Sequence, residues 1–203
     1  MSAARAAARI KPVIAIKPGR HVEAAKAAAT HTGALSGADR VVDAAFRRAG
    51  ILRVDELSEL FDATETIARF APLERAQVGI VTNGGGAGVL AVDRLAAFGA
   101  RLAELSADPL AALNGTLPAN WSRANPVDII GDATPDRYRT AIAAVAADPS
   151  VDAILVMNCP TGIASSADAA AAVASLAKDG TIGGKPVLSC WLGGITAREG
   201  RQL

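Results

Sequence analysis

The sequence predicts an α/β protein with flavodoxin-like, doubly wound parallel sheets, the first of which is incomplete. In the second part of the chain, five short apolar runs alternate with helical patterns, which is typical of a parallel sheet covered by helices. Before residue 71 the patterns give only two strands and two helices. That is too little for a sheet covered on both faces, and we therefore expect the chain to be a piece of a longer protein.

The first predicted domain spans residues 1–70 and is followed by a linker at 71–76. Its two strands are PVIAIK at 12–17 and ILRV at 51–54, because both runs are short, apolar and rich in β-branched residues. Residues 18–38 have turn residues at both ends and a poor apolar pattern, which indicates a long, partly helical loop.

Two helices complete this first domain. Ser36 is expected to cap the first of them, with Asp39 at its third position, and Gly50 is expected to end it. The run DELSELFDATETIARF at 55–70 predicts an amphipathic second helix.

The second predicted domain spans residues 77–203. Its expected strands lie at 77–82, 101–105, 126–130, 151–157 and 185–191. Its expected helices lie at 89–99, 109–113, 135–148 and 166–180. Pro135 suits the first turn of its helix, and the run NGGGAG at 83–88 is expected to form a tight loop between the first strand and its helix.

Charge and composition exclude several classes of protein. The chain has 21 Lys and Arg against 20 Asp and Glu, and only 3% aromatic residues, so we expect no nucleic-acid partner. Its apolar runs are short, so we expect no membrane span. The two cysteines, Cys159 and Cys190, have no motif spacing. This favours a reduced, cytoplasmic location and no metal site.

His31 is the first candidate for chemistry. It precedes Thr32, Gly33 and Ala34, whose small side chains let a ligand approach the imidazole. Neutral imidazole is nucleophilic near pH 7 and forms covalent intermediates. A histidine that only lies on a surface loop or caps a helix is the alternative that this pattern leaves open.

The glycine run is the second candidate. Asn83, Gly84, Gly85, Gly86 and Ala87 lie between a predicted strand and a predicted helix. Glycine allows close backbone approach, and a helix N-terminus offers free N–H groups to a phosphate. No Gly-Lys-Ser/Thr follows, so the run is not a P-loop, and a purely structural turn remains the alternative.

Two further runs lie at predicted carboxyl ends of strands, where open α/β sheets bind ligands. They are NPVDIIGDA at 125–133 and MNCPTG at 157–162. Within the latter we select Cys159, Pro160, Thr161 and Gly162 as a candidate substrate loop. Ordinary connecting loops are the alternative.

Together these motifs resemble the ADP-forming acyl-CoA synthetases (acetate–CoA ligases), which are relatives of succinyl-CoA synthetase. The resemblance rests on THTGALSGADRVVDAAFRRAGILRV at 30–54 and IVTNGGGAGVLAVD at 80–93. NPVDIIGDATPDRYRTAI and DAILVMNCPTG also look familial, and the similarity extends over nearly all of residues 11–194.

The resemblance implies a function. In the family, a histidine at the position of His31 is transiently phosphorylated and passes its phosphoryl group to ADP on an ATP-grasp domain. The phosphohistidine rests against helix N-termini, one of which would be the helix that opens at Asn83–Gly88. CoA and ATP or ADP with Mg²⁺ are implied for the complete enzyme, with acyl phosphate and CoA ester as substrates. None of these cofactors is expected to bind tightly to this chain alone.

The family's CoA-binding and ATP-grasp domains do not correspond to any part of this sequence. We therefore expect them as partner domains or subunits, in a homo- or hetero-oligomer, and expect the isolated chain to be inactive. Some relatives are fused to protein lysine acetyltransferases. A regulatory, ligand-sensing module of such an enzyme, or an inactive fragment, is thus the alternative function. His31 favours the ligase.

Overall fold

A computed structural model describes residues 2–32, 38–71, 73 and 77–202, and for 28–32 it describes only the backbone. The chain divides into two compact units, Met1–Pro72 and Leu73–Leu203. Both units have parallel sheets and helices, which confirms the predicted α/β class. In the described residues, no helix combines the length and the apolar character needed to cross a membrane.

The first unit is built around two parallel strands. These are β1 (Ile14–Ile16) and β2 (Leu52–Val54), with Ala15 paired to Arg53. Its helices are α1 (Ser2–Ala8), α2 (Val22–Thr32), α3 (Asp39–Ala49) and α4 (Leu57–Arg69). Both strands were predicted, whereas α1 was not. Residues 18–38, predicted as a partly helical loop, contain the three-turn helix α2.

The ends of α3 test the capping prediction. Gly50 ends the helix in the left-handed region, with φ of 74°, as predicted. The start was predicted wrongly, because Asp39 is the first residue of α3 and not its third. The residue that precedes the helix is Ala38, which makes no side-chain capping bond. Ser36 lies outside the described residues. Asp39 instead binds two arginines.

The second unit alternates strands and helices along the chain. The strands are β3 (Gln77–Thr82), β4 (Arg101–Leu102), β5 (Val127–Asp128), β6 (Ala153–Asn158) and β7 (Val187–Trp191). The helices are α5 (Gly85–Ala97), α6 (Ala107–Thr116), α7 (Pro135–Ala147), α8 (Ser166–Asp179) and a short 3₁₀ helix (Ile195–Ala197). All five strands and all four α-helices were predicted, but β4 and β5 are shorter and α6 is longer than expected.

The sheet of the second unit is centred on β3 and β6. Its order is β4-β3-β6-β7, with β5 also paired to β3, and every pairing is parallel. β4 pairs with the first residues of β3, Gln77 and Val78, and β5 pairs with the last, Val81 and Thr82. The two short strands therefore follow one another along the same edge of β3.

The side chain of Asn125 fills the gap between β4 and β5. Its Oδ1 accepts a bond from the Ile80 N–H at 2.9 Å. Its Nδ2 donates to Val78 O at 2.9 Å and to Ala103 O at 2.8 Å. One amide thus satisfies backbone groups that a longer strand would have paired, and this explains why β4 ends at Leu102 and not at 105 as predicted.

The sheet packs against α7 at very short range. Tyr138, Ile142 and Val145 of α7 are fully buried, and so is Ile154 of β6. A Cβ added to Gly79 would lie 2.4 Å from Val145 Cγ1, so glycine is required where β3 approaches this helix. The pattern of β3 predicted a buried strand but gave no sign of this contact.

Candidate functional site

Two strand-end connections are joined by a reciprocal pair of hydrogen bonds. Because all strands of the second sheet are parallel, their carboxyl ends lie at one edge, where ligands of open α/β sheets bind. Asn83, after β3, donates from Nδ2 to Cys159 O at 2.9 Å and accepts from the Cys159 N–H at 2.7 Å. The structure therefore brings together the start of the predicted phosphate loop and the start of the predicted substrate loop.

The glycine run belongs largely to α5. It was predicted as a loop before a helix at residue 89, but the helix already begins at Gly85, and Gly84 precedes it. The N–H groups of Ala87 and Gly88 donate to Gly84 O. Those of Gly85 and Gly86 donate to no described residue. Two free donors therefore lie at the positive end of a helix, which is the arrangement that favours an anion.

Two of the three glycines lie close to side chains that would have to move to admit a Cβ. A Cβ added to Gly84 would lie 2.5 Å from Cys159 Sγ, and one added to Gly85 would lie 2.6 Å from Asp128 Oδ2. A Cβ added to Gly86 would meet nothing within 4 Å. Burial raises the pKa of the Cys159 thiol, so this side chain packs against Gly84 in its neutral form.

Asp128 is a member of this edge that the sequence analysis did not single out. It is the last residue of β5, its Oδ1 accepts from the Ile130 N–H at 2.9 Å, and its other oxygen faces Gly85. A carboxylate at this position offsets part of the positive field at the start of α5. The signal was present in the run NPVDII, where an acid interrupts the apolar residues of the predicted strand 126–130.

A second opening lies at the start of α8. This cavity of about 570 Å³ is lined by Pro160, Thr161, Gly162, Ala164, Ser165, Ser166, Ala167, Thr196 and Glu199. Three of the four predicted substrate-loop residues line it, and Cys159 does not. Ser165 Oγ accepts from the Asp168 N–H, whereas the N–H groups of Ser166 and Ala167 donate to no described residue.

A buried polar chain fixes the start of α8 to the sheet. Ser166 Oγ donates to Asn158 Oδ1 at 2.7 Å, and Asn158 Nδ2 donates to the Tyr138 hydroxyl at 3.0 Å. Trp191 Nε1 donates to Ser166 O at 2.9 Å. Burial raises the pKa of Tyr138 far above its usual range, which keeps its hydroxyl protonated. No motif in the sequence indicated this network.

The remaining predicted residue, His31, is the next-to-last residue of α2 in the first unit. Its side chain lies outside the described part of the chain. Another cavity, of about 1050 Å³, is also in the first unit, between α1 and α3. No predicted site residue lines it. In the part of the chain that the structure describes, no three metal-ligating side chains come together.

The two units are α/β units with parallel sheets, and the family models that match them are those of CoA ligases of the succinyl-CoA ligase type. The chain belongs to this family: residues 78–201 match the Ligase-CoA domain, and residues 1–67 match the succinyl-CoA ligase like flavodoxin domain.

Curated relatives cover almost the whole chain. It is 34% identical over 203 residues to acetate–CoA ligase [ADP-forming] I of Archaeoglobus fulgidus, covering 100% of this chain and 28% of that protein. It is 35% identical over 199 residues to the α subunit of acetate–CoA ligase [ADP-forming] I of Pyrococcus furiosus, covering 98% of this chain and 43% of that subunit. The chain therefore spans less than half the length of these relatives.

A solved structure is also similar to this chain over nearly its whole length. The dinucleotide forming acetyl-coenzyme A synthetase 1 of Ca. Korarchaeum cryptofilum, in complex with phosphate and ADP, matches with a TM-score of 0.86 and 32% identity. The match covers 98% of this chain and 43% of that one.

Proposed function

We propose that this chain is part of an ADP-forming acyl-CoA synthetase in which His31 carries a phosphoryl group. The observation that carries the proposal is the similarity to two acetate–CoA ligases over nearly the entire chain, including the segment that holds His31. CoA, ADP or ATP and Mg²⁺ are the cofactors of the proposed activity. A CoA-binding domain and an ATP-grasp domain are its proposed partners.

The proposed reaction has three balanced steps. Phosphate attacks the acyl-CoA carbonyl, the C–S bond breaks, and acyl phosphate and CoA form. The neutral imidazole of His31 then attacks phosphorus, so that a P–N bond forms while the P–O bond to the leaving carboxylate breaks. Finally ADP attacks the phosphohistidine, the P–N bond breaks, and ATP leaves with the imidazole restored.

The start of α5 is the proposed receiving site for the phosphoryl group. The free N–H groups of Gly85 and Gly86 suit phosphate oxygens, and no Cβ stands between them and a ligand. The Asp128 carboxylate beside them keeps binding weak, which suits a group that must leave again. The cavity at α8, with the loop Cys159–Gly162, is the proposed place for the rest of the substrate.

Phosphorylation of His31 tests the function. The chain, supplied with CoA-binding and ATP-grasp partners, should take up a phosphate that is labile in acid and stable in base. His31→Ala should abolish the label, because it removes the only nucleophile proposed, and His21→Ala is the matched control that should keep it. Detection of the phosphorylated peptide by mass spectrometry gives the site. Full labelling of the His31→Ala protein would refute the proposal.

Anion binding at α5 is a separate expectation. Titration with sulfate or phosphate should shift the amide resonances of Gly85 and Gly86 at millimolar concentrations, because two uncharged donors bind an anion weakly. Gly85→Val should remove these shifts by crowding the site, and Gly86→Ala is a control that keeps the N–H groups and meets no neighbour. Asp128→Asn should tighten binding about two- to fivefold by removing a nearby negative charge. Shifts confined to Ser166 and Ala167 would place the site at α8.

A further inference from the structure

The histidine segment, defined here as residues 21–38, contains α2 and is bounded by Arg20 and Asp39. The described side chains of α2, Val22 to Ala27, are all exposed except that of Ala25, which is half-buried. Burial of apolar surface normally fixes a helix on its domain, and the described first half of α2 contributes little of it. The position of this half of the helix therefore depends on how the end of the segment beside it is held.

Four charged side chains hold these ends. The two guanidinium N–H groups of Arg53 bind both oxygens of Asp39, Nη2 to Oδ1 at 2.5 Å and Nη1 to Oδ2 at 3.2 Å. Arg20 Nε also reaches Asp39 Oδ2, at 3.3 Å, and Arg20 Nη1 pairs with Asp55. We call Arg20, Asp39, Arg53 and Asp55 the clasp.

The clasp is anchored in the sheet of the first unit. Arg53 is the middle residue of β2, is paired with Ala15 of β1, and has a side chain that is only 7% exposed. Arg20 lies just before α2, and Asp39 is the first residue of α3. The residues that bound the histidine segment, 19 residues apart, thus meet at the carboxylate of Asp39, which also binds the buried guanidinium of Arg53.

The chemistry of the clasp makes it directional and hard to replace. A bidentate arginine–carboxylate pair fixes both distance and orientation, which a single ammonium cannot do. Arg53 Nε is buried without a hydrogen-bond partner among the described residues. The carboxylates that offset the cost of burying this arginine are Asp39, at 2.5 Å, and the more distant Asp43, at 3.7 Å. Loss of Asp39 would leave this cation with the weaker partner alone.

We propose that Arg20, Asp39 and Arg53 are positioning residues, which hold α2 and thereby set the place of His31. The inference rests on the proposed role of His31 as the phosphoryl carrier. A nucleophile must lie within a fraction of an ångström of its productive position, and ends that are held by directional ion pairs help a helix to reach that precision. The clasp acts through α2 and does not itself touch the substrate.

Hydrogen exchange on the whole chain tests the clasp independently of any activity. Asp39→Asn should speed exchange of the α2 amides at least tenfold, while the amides of β1 and β2 stay as protected as in the wild type. Asp39→Glu should restore protection. Asp62→Asn, an acid-to-amide change on the exposed face of α4, is the matched control. Unchanged exchange in α2, or equal acceleration in both strands, would overturn the proposal.

Phosphotransfer kinetics with the partner domains link the clasp to His31. Asp39→Asn should lower kcat at least tenfold with less than a twofold change in the KM for ADP, which binds elsewhere, and Asp39→Glu should recover most of kcat. If Asp39→Asn fails to fold, Arg20→Gln removes two clasp contacts and serves in its place. Absence of phosphohistidine in the wild type would refute the proposed function. A phosphorylated wild type together with variants of unchanged kcat would refute the positioning role of the clasp.

Discussion

Replacement of Asp148 by alanine is expected to destabilise the second unit by about 3–5 kcal/mol. Asp148 follows α7 and is fully buried. Its carboxylate accepts from the Ser106 N–H at 2.6 Å, from the Ser106 hydroxyl at 3.0 Å and from the Ser150 N–H at 2.8 Å. Alanine leaves these donors without an acceptor, and each unmade bond to a charged group is costly.

Tryptophan fluorescence can measure this loss of stability in the second unit. Both of its tryptophans, Trp121 and Trp191, are buried in the second unit, so their fluorescence during urea unfolding reports on that unit alone. Asp93→Ala, which truncates an exposed acid on α5, is the control and should change the unfolding free energy by less than about 0.5 kcal/mol. A similar small change in the Asp148→Ala protein would contradict the expectation.

The same carboxylate gives the unit a pH dependence. Burial alone would raise the pKa of Asp148, but the hydrogen bonds from the Ser106 and Ser150 N–H groups outweigh it and hold the pKa below its usual value. A lowered pKa in the folded state means that the stabilisation is fully present above the unfolded value, about 3.9, and is lost as pH falls through the folded value. The unfolding free energy of the wild type should therefore decline below about pH 4 more steeply than that of Asp148→Ala.

Asn125→Ala is expected to lower the unfolding free energy of the second unit by about 2–4 kcal/mol. It removes one acceptor and two donor contacts from the interior of the sheet. The Ile80 N–H and the Ala103 carbonyl lose the partner that the structure shows, and the Val78 carbonyl keeps only its bond from the Ala103 N–H. Asn125→Asp should also destabilise, because it sets a carboxylate oxygen against those two carbonyls. The tryptophan signal again gives the free energy.

Asn120 supplies the matched control for this position. It carries the same side chain, is exposed, and makes no hydrogen bond to another described residue. Asn120→Ala should therefore leave the urea midpoint nearly unchanged. Equal midpoints for the two alanine variants would show that the amide bridge across β3 and β4 contributes nothing to stability.

Local signals in the sequence were sufficient for several elements. The period and composition of QVGIVT predicted β3 with correct ends, and Pro135 marked the first turn of α7, where the Thr134 hydroxyl accepts from the Arg137 N–H. Gly50 marked the end of α3. Each of these depends on a few neighbouring residues, which a sequence displays directly.

Other features depend on residues far apart in the chain. β4 ends early because of Asn125, and the glycines at the start of α5 let Cys159 and Asp128 approach the backbone closely. The candidate site was likewise only partly predictable from local sequence. The strand-end rule led to the runs that contain Asp128 and Cys159, and the glycine run led to Asn83. The approach of the Asp128 carboxylate to Gly85 and the network behind Ser166 became evident only from packing across the sheet.

The pairing of β3 with β6 bears on how the second unit folds. Val78 pairs with Ala153, so the central pair of the sheet joins regions on either side of β4, α6, β5 and α7. Closing so long a loop is entropically unfavourable, and folding rates fall as contacts become less local. The helices and short edge strands can form early, but the unit gains its cooperative stability only when these two distant strands meet.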